Sequence, residues 1–141
     1  MKAESRMRQR VRLALRGLDP ISIENPVHPG TPDLNYVEGF VELKIVEKWP
    51  ERATTILRLP HFTPQQRVWL TRRVRAGGRA FLLLRVGSEW LLFRGDRAAE
   101  IVGRGTRVEL EAAAIGRWET SLDDEQLRAL LTADLRDGAV I

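Results

Sequence analysis

Residues 33–46 constrain the fold more than any other stretch of this chain. They read Asp-Leu-Asn-Tyr-Val-Glu-Gly-Phe-Val-Glu-Leu-Lys-Ile-Val, two alternating runs separated by Glu38 and Gly39. Alternation of apolar and polar residues is a strand signal, and a two-residue loop ending in glycine suits a tight hairpin. With Glu38 and Gly39 as the turn, Val37 faces Phe40, Asn35 faces Glu42 and Asp33 faces Lys44. Successive side chains leave a strand on opposite sides. Leu34, Tyr36, Val41, Leu43 and Ile45 therefore form an apolar face, and Asp33, Asn35, Glu42 and Lys44 share the other.

Two carboxylates and an ammonium on one face have a chemistry in common. Asp33 and Glu42 offer hard oxygen ligands of the kind Mg²⁺ takes, and the backbone carbonyl of Leu43 can add a third. Lys44 can orient or deprotonate a water, or stabilise charge developing on phosphorus. Arginine serves badly as a base because it keeps its proton. Such a set suits metal-assisted phosphodiester hydrolysis. The same spacing also suits a cross-strand ion pair, and on spacing alone that is the commoner outcome.

The rest of the chain places this hairpin in a mixed α/β context. Residues 1–16 read as a basic helix with a rough apolar stripe of Met7, Val11, Leu13, Ala14 and Leu15, stopped by Gly17 and Pro20. Residues 24–33 are rich in Pro and Gly and read as loop. Residues 54–59 are β-branched and apolar enough for a third strand. Thr63, Pro64 and Gln66 then open a helix with N-cap, first-turn proline and capping box, which Gly77 and Gly78 end. Residues 80–86 form a nearly continuous apolar run, as a central strand requires. Gly87 and Ser88 turn the chain into a partner strand at 89–94. Thr106 and Glu109 form a second capping box, and Leu127, Leu130 and Leu131 line one side of a last helix. This order implies an α/β or α+β domain with helices flanking a mixed sheet.

Composition narrows the partners. The 141 residues fit one domain, with a core at about 1–95 and a helical extension at about 96–141. The chain has no cysteine, which excludes a thiolate zinc site and a disulfide framework and accords with the cytoplasm. The longest apolar run is five residues, 80–84, far short of a membrane span. Net charge is +4 with a pI near 10.3, which favours an anionic partner such as DNA. Only Lys2, Lys44 and Lys48 are lysines among 23 basic residues. A GC-rich or thermophilic genome accounts for that bias as readily as function does, yet a lysine kept in such a background points to its own chemistry.

The motifs also resemble those of a known family. Pro32-Asp33 followed by Glu42-Leu43-Lys44 resembles the signature of the PD-(D/E)xK nucleases. Residues 62–70, Phe-Thr-Pro-Gln-Gln-Arg-Val-Trp-Leu, resemble the helix that follows the catalytic strands in their VRR-NUC branch, which is similar to archaeal and phage Holliday junction resolvases. The resemblance covers residues 22–94. It implies a restriction-endonuclease-like αβββαβ core and a Mg²⁺-dependent DNA endonuclease, with Mn²⁺ able to substitute. Asp33, Glu42 and Lys44 would be its catalytic cluster, with Gln66 near the scissile phosphate. An upstream acid, Glu24 or else Glu4, would join Asp33, Glu42 and Leu43 at the metal. Arg67, Arg72, Arg73 and His28 would contact phosphate, although solvated side chains explain any one of them equally well. A resolvase needs two active sites, so a homodimer follows, and a phage origin accords with the branch. Flap or end processing is the alternative nuclease role, and a non-catalytic DNA-binding module is the alternative of another class.

Overall fold

The computed structural model describes residues 2–24 and 29–133. Helix α1 (Ala3–Ala14) leads into strands β1 (Ile21–Ser22), β2 (Leu34–Tyr36) and β3 (Gly39–Val46). Helix α2 (Pro64–Arg75) carries the chain across to β4 (Arg79–Val86), and β5 (Glu89–Arg94) follows. Then come α3 (Gly95–Ile101), α4 (Arg107–Ala113), β6 (Gly116–Trp118) and α5 (Asp124–Thr132). The six strands form one mixed sheet in the order β1-β2-β3-β4-β5-β6, in which only β3 and β4 run parallel. A parallel pair needs a long crossover, and α2 with its preceding loop supplies it.

Helices cover both faces. Met7, Val11 and Ala14 of α1, with Leu127 and Leu131 of α5, pack on Leu34, Tyr36, Val41, Phe81 and Leu83. Trp69 and Leu70 of α2, Ala98 of α3 and Leu110 of α4 pack on Ala80, Leu82, Leu84, Leu91 and Phe93. Strand β4 feeds both layers, which is why its sequence is apolar without alternation. The expected helix limits hold at α2, where Thr63 and Gln66 form the full capping box, and at α4, where Thr106 and Glu109 do the same.

The αβββαβ order is present, but its strands are not all the expected ones. Residues 54–59 form turns and extended loop, not a third strand. Leu57 and Leu59 are buried there while Arg58 is exposed, so the alternation is real but serves a loop that lies on the α2 layer. The missing strand is β1, paired antiparallel to β2 through Ile21↔Asn35. The C-terminal third is also no mere helical extension. Strand β6 extends the sheet through Trp90↔Trp118, and Tyr36 Oη donates to the carbonyl of Leu131 at 2.7 Å in the buried layer.

The hairpin register differs by two residues from the expected one. The pairs are Leu34↔Val41, Asn35↔Phe40 and Tyr36↔Gly39, so the loop is Val37 and Glu38. Gly39 belongs to the strand. A Cβ there would run into the carbonyl oxygen of Arg79 on β4, so this glycine serves close strand approach and not the turn. A two-residue shift preserves which face each side chain takes, so the expected sorting of apolar and polar faces survives.

Candidate active site

On β3, alternate residues Phe40 and Val46 pack into the α2 layer, and Glu42 and Lys44 lie between them on the same face. Two charged groups thus interrupt an otherwise apolar layer. Glu42 is only 2% exposed. A carboxylate so placed needs partners, and Asp33, Lys44 and Gln66 supply them.

The shifted register brings Asp33 beside Glu42 rather than across from Lys44. The Asp33 backbone N–H donates to Glu42 Oε1 at 3.2 Å, and the Leu43 N–H donates to Asp33 Oδ2 at 2.9 Å. Lys44 Nζ stands 3.1 Å from Glu42 Oε2 and donates to the carbonyl of His61 at 3.0 Å. Its ammonium also lies 5.8 Å from the centre of the Phe62 ring. Gln66 Nε2 donates to the same Glu42 Oε2 at 3.1 Å. Asp33, Glu42, Lys44 and Gln66 therefore meet, whereas Asn35 turns away and donates to the Gly39 carbonyl.

Gln66 reaches Glu42 from a fixed base. Its Oε1 accepts from the Thr63 N–H at 2.9 Å, so one face of the amide closes the helix cap and the other points at the carboxylate. The loop before β2 is pressed against this helix start. Gly30 has φ +91°, and a Cβ there would collide with the backbone of Gln65. Only glycine allows that approach, which seats the Thr31-Pro32-Asp33 segment over α2.

The Glu42 carboxyl is pushed up to about 8, chiefly by burial and then by the adjacent Asp33 charge, against the opposing pull of Lys44. Two acids compete for one small region, which a divalent cation would relieve. The donor chemistry fits such an ion: two carboxylates and, by its direction, a carbonyl. A strand residue's N–H and C=O point to the same side. Because the Leu43 N–H points at Asp33, the Leu43 carbonyl faces that side too, beyond the end of β2. Mg²⁺ needs no more protein ligands than these, since it keeps several waters.

The other expected residues lie outside this cluster. Glu24 is exposed, as is Glu4, and no group of three acidic, histidine or cysteine side chains gathers at a possible metal site among the described residues. His28 lies outside the described residues. Arg73 stacks over Trp69 and Phe40, at 4.6 and 5.2 Å from the ring centres, and Arg72 is exposed on α2. Arg67 donates to the Ala99 carbonyl at 2.9 Å and lies 4.3 Å over Phe62. Trp69 is core, as its helix position indicated. Sequence reasoning missed the His61 carbonyl, a backbone group, and gave the Phe62 ring no role although it opens the 62–70 motif.

No protein-family model matches the chain, and no curated protein matches it in sequence. Among solved structures it is similar to Hjc, a Holliday junction resolvase from the archaeal hyperthermophile Archaeoglobus fulgidus. The TM-score is 0.43 and identity 20%, over 67% of this chain and 75% of that one. A likeness at that level assigns no activity. No helix is long and apolar enough to cross a membrane among the described residues.

Proposed function

We propose that this chain is a Mg²⁺-dependent endonuclease that hydrolyses phosphodiester bonds of DNA at the Asp33–Glu42–Lys44 cluster. The observation that carries the reading is a nearly fully buried carboxylate, Glu42, held against a second one, Asp33, with Lys44 and Gln66 on its other oxygen. An ordinary surface ion pair would show none of that burial. The +4 charge and the motif resemblance point the same way.

Asp33, Glu42 and the Leu43 carbonyl would hold the ion. Bound there, Mg²⁺ supplies charge neutralisation at the phosphate and acidifies a water. Lys44 is poised between Glu42 and the His61 carbonyl to orient that water or to meet charge on the phosphoryl oxygens. Gln66 fixes the Glu42 rotamer from the helix cap. Phe62 covers one flank of Lys44 and keeps bulk water from it. The finer reading is Holliday junction resolution by a homodimer, with shape and backbone rather than base sequence recognised.

Asp33→Asn tests both levels. With Mg²⁺ or Mn²⁺, the wild type should cut a synthetic four-way junction by paired symmetric nicks, and Asp33→Asn should bind the junction without cutting it. A fully active Asp33→Asn chain would sink the metal assignment. Cutting of flaps or linear duplex in preference to junctions would replace resolution with end processing.

A further inference from the structure

A second cluster of cations lies across Phe62 from the proposed active centre. Arg67 on α2 and Arg104 after α3 both donate to the carbonyl of Ala99, at 2.9 and 3.3 Å. They line an open groove of about 570 Å³ between α2 and α3, together with Arg72, Arg75 and Thr71. None of these four arginines has a carboxylate partner among the described residues. The groove's two acids are already engaged: Asp96 takes both its oxygens to Arg94 at 2.6 Å, and Glu100 pairs with Arg97 at 2.8 Å.

Like charges are not normally placed on one acceptor. Burial and the nearby Arg104 charge lower the Arg67 pKa, so the arrangement costs free energy without an anion. Arg67 is nevertheless held rigidly. Phe62 lies under its guanidinium, and Gly103, at φ +86°, sits so close that a Cβ would come within 2.8 Å of Arg67 Nη2. A fixed guanidinium loses little entropy on binding and suits bidentate capture of phosphate.

We propose that Arg67 and Arg104 form a preorganised phosphodiester clamp that holds a DNA strand beside the cleavage centre. The inference rests on the nuclease reading for its ligand. Lys44 and Arg67 both stand on Phe62, at 5.8 and 4.3 Å from its ring centre, so their charges lie within about 10 Å of each other. Three base steps advance roughly 10 Å along a duplex axis, at ~3.4 Å each, so both charges can meet one short stretch of strand. An open groove with Val68 exposed on its wall fits a polymer better than a free anion.

The test is equilibrium binding of the full chain to a labelled DNA duplex in EDTA across a salt series. Arg104→Gln should weaken binding about tenfold near ~0.1 M salt and lower the log–log salt slope by about one. Arg67→Gln should act in the same direction. Arg12→Gln on α1, in the opposite layer, should leave the slope unchanged. An unchanged slope in Arg104→Gln, or an equal loss in Arg12→Gln, overturns the clamp. Cleavage of a synthetic four-way junction in Mg²⁺ reads the activity separately. Binding through Arg104 without cutting keeps the clamp and removes the nuclease. Cutting with a wild-type slope in Arg104→Gln does the reverse, and a wild type that binds neither the duplex nor the junction at low salt removes both.

Discussion

Gln66 donates its side-chain amide to Glu42 at 3.1 Å. One residue thereby joins the start of α2 to the charged gap in the sheet's apolar layer. Capping and positioning are separable roles. Thr63→Ala removes the hydroxyl that accepts from the Gln66 N–H and leaves the Gln66–Glu42 bond; Gln66→Ala keeps the bond to that hydroxyl but loses the acceptor for the Thr63 N–H and the bond to Glu42. Each should cost about 1 kcal/mol of unfolding free energy. Nuclease activity should fall much further in Gln66→Ala than in Thr63→Ala. Equal activities in the two variants would make Gln66 a cap only.

Stability should depend on pH through Glu42 in the absence of metal. Its carboxyl is raised from 4.5 to about 8 in the fold, chiefly by burial, so the folded state holds the proton more tightly. The contribution is complete below pH 4.5 and is lost as pH rises through 8. Chemical denaturation in EDTA should show wild-type stability declining across that window, by an amount on the order of a few kcal/mol at most. Glu42→Gln should flatten the decline and exceed wild type above pH 8. Mg²⁺ should raise wild-type stability there and leave Glu42→Gln unmoved.

Much of this site was legible in residues 33–46, for a reason of parity. A strand sorts side chains by odd and even position, so a register error of two leaves Asp33, Glu42 and Lys44 on one face. The pairing within that face was not legible. Gly39 looks like turn chemistry, whereas its lack of a side chain serves contact with Arg79 on a strand forty residues later. Helix α2 was legible because Thr63, Pro64, Gln66 and Gly77 act locally. Strands β1 and β6 were not, since segments of two and three residues carry no period and exist only through their neighbours. The His61 carbonyl is a backbone group, and any residue there could supply it.

Lysine chemistry at position 44 should not transfer to arginine. Lys44 reaches Glu42 and the His61 carbonyl at 3.1 and 3.0 Å in a site where its side chain is 11% exposed. Lys44→Arg keeps the charge but brings a larger group that does not release its proton. We expect it to fold and to bind DNA, with the cleavage rate reduced about 10²–10⁴-fold. Cleavage within tenfold of wild type would limit Lys44 to an electrostatic partner of Glu42.

The C-terminal segment should unfold with the sheet and not before it. Helix α5 is tied to β2 by the buried bond from Tyr36 Oη to the Leu131 carbonyl, and Leu127 and Leu131 are fully buried beside α1. Burial holds the Tyr36 hydroxyl in its protonated, donating form. Tyr36→Phe deletes that donor and leaves a buried carbonyl unpaired, which costs about 1–3 kcal/mol. Because Tyr36 lies on the face opposite Glu42, the loss should lower the denaturation midpoint without changing cleavage at a temperature where the variant is folded. Far-ultraviolet circular dichroism and tryptophan fluorescence should report one shared transition, as two-state unfolding requires. An earlier, separate helical transition would show that residues 120–133 form an independent unit after all.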